Sequence, residues 1–251
     1  EIIAKIHEQG KLTDELKAAI EKTSKLQELE DIYLPYKQKK RTRAQKAKEK
    51  GLEPLASRIL LQQDTKGVPE AIASEFVNPE LEVNSAGDAL AGAMDIIAEM
   101  ISENPQLRQK LRETMQSSSL LSASLPEDKE NTEEGRVFLM YKEYQEPVRT
   151  LPPHRILAIN RGERLDCLKV KIETDEEKIL RLIEKEYLRG NSIFKDLIKE
   201  TCADSWKRLI EPSLERELRS GLTEAAEKQA ISIFGTNLKQ LLLQAPLAGY
   251  T

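Results

Sequence analysis

From Ala86 to Ile101 the chain has almost no polar face. Ala86, Leu90, Ala91, Ala93, Met94, Ile96, Ile97, Ala98, Met100 and Ile101 are spread around a helical repeat. A helix that is apolar nearly all round has to be buried. Ser85 is placed to cap it, and Asn104-Pro105 restarts the chain beyond it. Residues 86–102 are therefore expected to form the centre of the core, with the other elements arranged around them.

Those other elements read mostly as short helices with clear punctuation. Thr13 caps one that runs to about Lys22. Ser24 opens the next, with Leu26, Leu29 and Ile32 on one face, and Pro35 stops it. Thr42 caps a third, which ends at Gly51, and Pro54 sits in the first turn of a fourth through about Leu61. Phe194, Ile198, Cys202, Ser205 and Leu209 make a stripe, with Trp206 beside it. From Pro212 one long helix is expected to about residue 244, with Leu214, Leu218, Ala225, Ile233, Leu238 and Leu242 in one row. Gly221 and Gly235 are the points where it can bend.

Residues 116–135, rich in serine and then in carboxylates, read as an exposed loop or frayed helix end. The acidic run reads as solvated, because its carboxylates sit on no fixed element that could converge them on an ion. Only one stretch reads as β. Arg155–Asn160, a turn at Arg161-Gly162-Glu163, and the alternating Leu168, Val170 and Ile172 predict a hairpin. Aromatic residues make up only 4 % of the chain, which argues against a β-sandwich. The expected fold is mainly α, with one small β-hairpin and a long C-terminal helix. The expected division is a multi-helical domain over 1–150, the hairpin over 151–174 and a helical segment over 175–251.

Several kinds of chemistry find no support. The chain has no apolar run long enough to cross a membrane. Residues 1–10 read as the tail of an amphipathic helix and not as a signal peptide, so the chain is expected to begin mid-protein. Cys167 and Cys202 form neither a disulfide framework nor a zinc site, and His7 and His154 lie far apart. No phosphate-cradling glycine loop or nucleophile elbow is present. His154 reads as a hydrogen-bonding residue, Trp206 as a packed anchor and both cysteines as small structural residues. No catalytic residue, metal site or cofactor is expected, and the chain is not expected to be an enzyme.

One feature carries functional weight. Lys37, Lys39, Lys40, Arg41, Arg43, Lys46, Lys48 and Lys50 fall within 14 residues and are opposed only by Glu49, giving +7 in a chain of net charge −4. The net charge gives no global attraction to nucleic acid, so binding would need a local patch such as this. Arg43, Lys46 and Lys50 are spaced i, i+3 and i+7, along one face of the helix Thr42 caps. Free N–H groups at that helix start would add to the attraction for an anion. The stretch can contact nucleic-acid phosphate. It can equally be a solvated face, or dock on acidic surface of the same protein. The local sequence favours neither.

A family resemblance bears on this choice. Leu29–Lys37 (LEDIYLPYK), Lys40-Arg41-Thr42 and Glu49–Ala56 (EKGLEPLA) are similar to the N-terminal region of the Tex family of bacterial transcription accessory proteins. The similarity continues through Tyr144, Glu146-Pro147, Pro153-His154-Arg155 and Asn160–Glu163. It closes with Leu209, Pro212-Ser213, Glu215–Glu217 and Leu241–Gln244. No single match is a catalytic signature; their order over nearly the whole chain is specific.

The resemblance implies a multi-helical N-terminal region with a helix-turn-helix-like part and a long central helix. In full-length members an RNase H-like domain, helix-hairpin-helix units and an OB-fold RNA-binding domain follow. The chain is then expected to stop where the RNase H-like domain begins. A cytoplasmic location follows, with RNA or DNA as partner, mainly through domains outside this chain, and contact with the transcription machinery. The alternative is a scaffold for RNA polymerase or another protein, with no nucleic-acid binding of its own.

Overall fold

The computed structural model describes residues 2–23, 26–37 and 41–244. It is predominantly helical, with one small antiparallel sheet and a continuous helical run of 48 residues at the C-terminal end. The chain divides into two compact units, each discontinuous in sequence. One comprises residues 1–113 and 176–213, the other 114–175 and 214–251. These boundaries differ from the contiguous division expected at 150 and 174.

In the first unit the helix Ala86–Ser102 is the centre, as its composition requires. The Ser85 hydroxyl accepts from the backbone N–H of Asp88, and the Asp88 carboxylate accepts in return from that of Asn84. This reciprocal cap fixes the start of the helix. Ala93, Ile96, Ile97, Ala98 and Ile101 are buried, whereas Ala91 and Met100 are exposed. Packed on it are the helices Arg43–Glu49, Glu53–Leu61, Pro69–Ala73 and Lys195–Asp204. The expected caps at Thr13 and Thr42 are present. Ser24 lies outside the described residues.

The stripe through Phe194 departs from expectation at its end. Phe194, Ile198, Cys202 and Ser205 are buried, but the next buried positions are Trp206 and Ile210 and not Leu209. Residues Ser205–Ile210 form a π-helical turn. The wider turn advances the buried row by one position. The Ser205 hydroxyl donates to the Ala98 carbonyl at 2.7 Å, tying this turn to the core helix.

Two further helices of this unit meet through a buried ion cluster. On Leu26–Tyr33, Asp31 receives Arg108 Nε at 2.7 Å and Arg112 Nη2 at 2.6 Å from the helix Pro105–Ser118. Arg108 also donates to the Ser213 hydroxyl at 3.1 Å.

The second unit corrects the β reading. Residues 155–160 are not a strand: Pro153–Arg164 is a helix with Pro153 at its start and Ile156, Ile159 and Gly162 on its buried face. The run Ile156–Ile159 has no period-2 alternation, and a short apolar run of this kind suits either element. The second half of the expected hairpin is a strand, Lys169–Glu173 (β3), but its partner is Leu120–Ser124 (β1). β1 lies in the segment expected to be a loop. A third strand, Glu143–Pro147 (β2), completes the order β2-β1-β3, with both pairings antiparallel. Ala123 stands between Tyr144 and Val170 in register. Leu121, Ala123 and Leu125 alternate inward in β1 and just beyond it. Flanking serines mask that alternation in the sequence.

The long helix Glu211–Leu242 runs without interruption through Gly221 and Gly235. Its early residues Leu214 and Leu218 are buried, but Ile233, Leu238 and Leu242 are 53 %, 43 % and 76 % exposed. Periodicity fixed which residues share a row, not whether anything covers it.

Candidate nucleic-acid interface

The basic stretch is built around the short helix Arg43–Glu49. Thr42 Oγ1 accepts from the Gln45 N–H at 3.1 Å and starts it. Gly51, with φ +76°, ends it by adopting the left-handed conformation that glycine takes without steric cost. The Leu52 N–H then closes back on the Ala47 carbonyl at 3.1 Å. Ala44 and Ala47 face inward and are buried. Arg43, Lys46 and Lys48 face outward and are exposed.

Half of the described cations of the stretch are neutralised within the chain. Arg41 pairs with Glu49. Lys48 lies 3.9 Å from Glu53. Lys50 is held twice by Glu82, at 3.2 Å from its carboxylate and 3.1 Å from its carbonyl. Lys37, Arg43 and Lys46 are exposed and make no ion pair among the described residues. Lys39 and Lys40 lie outside the described residues.

The six described cations therefore do not form a uniform patch. The sequence analysis named Glu49 among the counter-charges that divide them, but not Glu53 or Glu82. Glu49 and Glu53 lie near in sequence. Glu82 is 32 residues from Lys50 and is brought there only by tertiary folding, so no local signal marks it.

Beside this helix lies a groove of about 710 Å³. Arg43, Lys46 and Lys50 line it from one side. Glu80, Glu82, Asp88 and Asp95 line it from the 80–82 turn and the core helix. Asp95 is itself paired with Arg208 at 2.9 Å.

The remaining singled-out residues fall elsewhere. His154 is exposed near the start of the helix Pro153–Arg164. Cys167 and Cys202 are both buried, and burial pushes the Cys202 thiol up to about 12, far from a reactive thiolate. Trp206 is fully buried. Among the described residues no group of three or more His, Cys, Asp or Glu side chains could hold a metal ion. No helix among them is long and apolar enough to cross a membrane.

The family whose model is described as Tex central region-like matches residues 64–234. This chain belongs to the Tex family. It is 47 % identical to the Bacillus subtilis protein YdcI over all of its own length and 35 % of that relative. It is 41 % identical to the protein tex of Bordetella pertussis, over 98 % of this chain and 32 % of the relative. It is 38 % identical to the transcriptional accessory protein Tex of Neisseria gonorrhoeae, over 100 % of this chain and 33 % of the relative. The chain thus spans about a third of the length of these relatives.

Several residues that carry the Tex resemblance do structural work in the second unit. Arg155 Nη1 lies 2.7 Å from Glu146 and 3.2 Å from the Tyr144 hydroxyl, with its guanidinium over the Tyr144 ring. Asn160 donates to Thr223 at 2.8 Å, and Glu163 pairs with Arg219. A Cβ on Gly162 would come within 2.5 Å of Leu168. These contacts join strand, helix and long helix.

Proposed function

We propose that this chain is a non-enzymatic helical scaffold of a cytoplasmic, Tex-type transcription accessory factor, and that Lys37, Arg43 and Lys46 give it a secondary contact with nucleic-acid phosphate. The observation that supports the reading is that Arg43 and Lys46 face outward, with no ion pair among the described residues, on a helix seated on the core. An exposed cation without a counter-charge gains most from a phosphate oxygen. The printed description of the gonococcal relative as a transcriptional accessory protein supports the setting. The contact is weak and independent of base sequence, because nothing in it reads base edges.

A salt titration tests this. If Lys37, Arg43 and Lys46 each neutralise one phosphate, log K falls against log salt with a slope of about −2.7 on duplex DNA and about −2.1 on single strands. Arg43→Glu with Lys46→Glu removes two of the three contacts and brings the duplex slope to about −0.9. Unchanged affinity and slope in the folded double variant would remove nucleic-acid contact from this stretch.

A further inference from the structure

The groove beside the basic helix is not a polyanion site. Its lining carries four cations, Arg41, Arg43, Lys46 and Lys50, against five carboxylates, Glu49, Glu80, Glu82, Asp88 and Asp95. The signs are also segregated: every cation comes from residues 41–50, and all carboxylates but Glu49 come from residues 80–95. A phosphate backbone laid along the groove would meet Arg43 and Lys46 on one side and be repelled from the other. The phosphate contact therefore leaves the acidic wall without a role.

The floor is small and partly apolar. Ala47 and Gly92 sit where the two helices touch, and Ala91 beside them is exposed. Lining positions recur at i, i+3, i+4 and i+7 on both helices: 43, 46, 47 and 50 on one, 88, 91, 92 and 95 on the other. Two such rows meeting over small residues leave a channel into which the ridge of a third helix fits. Two of the groove's four cations, Arg41 and Lys50, are occupied by Glu49 and Glu82, and Asp95 by Arg208. That leaves Arg43 and Lys46 open on one wall, and Glu80, exposed and without an ion pair among the described residues, on the other. Asp88 stands beside it, with one carboxylate oxygen accepting from Asn84.

We propose that this groove receives a helix of a partner protein that carries carboxylates along one edge, Lys or Arg along the other, and small apolar residues between. Its acidic edge lies over Arg43 and Lys46, and its basic edge over Asp88, Glu80 and the exposed Glu82 beside it. Opposed charge on the two walls fixes which way round the helix lies, the contribution electrostatics makes best at an interface. The interhelical channel supplies the contact area. The partner helix and nucleic acid compete, because both use Arg43 and Lys46.

The probe is a phage-displayed library of random 16-residue peptides, panned on the 251-residue chain. Peptides enriched on the wild type are resynthesised and titrated by fluorescence anisotropy against Arg43→Glu/Lys46→Glu and Glu80→Lys/Glu82→Lys. All four positions are exposed, and Glu82, at φ +58°, is no more strained as lysine. Thermal melts confirm folding, and the corresponding glutamine variants give the same direction of effect with less charge perturbation. Each reversal is expected to weaken peptide binding about tenfold. The fourfold reversal should bind a peptide whose acidic and basic residues have been exchanged. Duplex DNA should respond oppositely to the second variant, binding it more tightly. Enriched peptides that are uniformly acidic, and that follow the DNA pattern, would make the groove an extension of an anion-binding surface and overturn the proposal. So would the absence of any peptide that prefers the wild type to the fourfold reversal.

Discussion

Gly92 lies against Leu52 so closely that a Cβ built on it would stand 2.4 Å from Leu52 Cδ1 and 3.3 Å from the Ala47 Cβ. Leu52 is 1 % exposed, so it must repack within the core to make room for that Cβ. This contact seats the basic helix on the core helix and holds Arg43 and Lys46 at the groove. A glycine inside a helix ordinarily costs about 1 kcal/mol relative to alanine. Here overpacking, at about 1–3 kcal/mol, outweighs that gain. Gly92→Ala should therefore lose about 1 kcal/mol in urea unfolding. Gly221, also helical but with nothing within 4 Å of its Cβ position, should instead gain about 0.5–1 kcal/mol as alanine. Stabilisation by Gly92→Ala would show that the contact is looser than its geometry.

The core helix makes a second prediction. Ile97 is fully buried and Leu90 is 7 % exposed. Truncation to alanine removes transfer energy and leaves a cavity, costing about 2–5 kcal/mol. Ile97→Ala should fall in the upper part of that range and Leu90→Ala in the lower. The denaturation midpoint should move while the slope with denaturant stays constant. A loss below about 1 kcal/mol for Ile97→Ala would disprove its place in the core.

What was legible from the sequence follows from how local each signal is. Ser85, Thr42 and Thr13 cap their helices because a side-chain oxygen and an N–H three residues on are close in any helix start. The core helix was legible because apolar residues dominate its composition, although Ala91 and Met100, expected in the core with the rest, are exposed. β1 was not legible: its partners are Gln145 and Lys171 on either side of Ser122, far away in sequence. Pairing over that distance is written in no short window. Leu209 was misplaced for a different reason, since a π turn breaks the 3.6-residue count on which a stripe is drawn. At the candidate site the cations and Glu49 were legible, but the neutralisation of Lys50 was not, because Glu82 reaches it only through the fold.

Asp31 supports a third prediction. Its side chain is 7 % exposed and faces Arg108 and Arg112, at 6 % and 11 %. Removing the carboxylate takes the Asp31 charge away from two nearly buried guanidinium groups. Asp31→Ala should cost about 3–5 kcal/mol in equilibrium unfolding. Replacing all three with apolar residues of similar volume, Asp31→Leu with Arg108→Met and Arg112→Met, should recover much of that loss, because the guanidinium charges go together with the carboxylate that faces them. Equal losses in the single and triple variants would mean that the cluster acts through specific geometry and not through charge balance.

The last prediction concerns acid. The Tyr144 hydroxyl, and after it the Arg155 guanidinium, hold the Glu146 carboxyl below the usual carboxylate range, with a smaller contribution from the charge of His154. A carboxylate with a depressed folded pKa stabilises the fold fully above its unfolded pKa, about 4.3. That contribution fades as pH falls through the lower folded value. The wild type should therefore be more stable than Glu146→Gln at pH 7, and the gap should shrink steadily between about pH 4.5 and pH 3. Asp64, held low chiefly by its hydrogen bond to Arg58, gives the same acid dependence in both proteins and cancels from the difference. The difference between the two proteins, followed by urea unfolding at several pH values, is thus the quantity to measure. Both partners are partly open to solvent, with Arg155 37 % and Glu146 21 % exposed, so added salt should narrow the gap at pH 7. A gap that stays constant from pH 7 to pH 3 would show that Glu146 acts through packing and neutral hydrogen bonding, which glutamine partly preserves, and not through its charge.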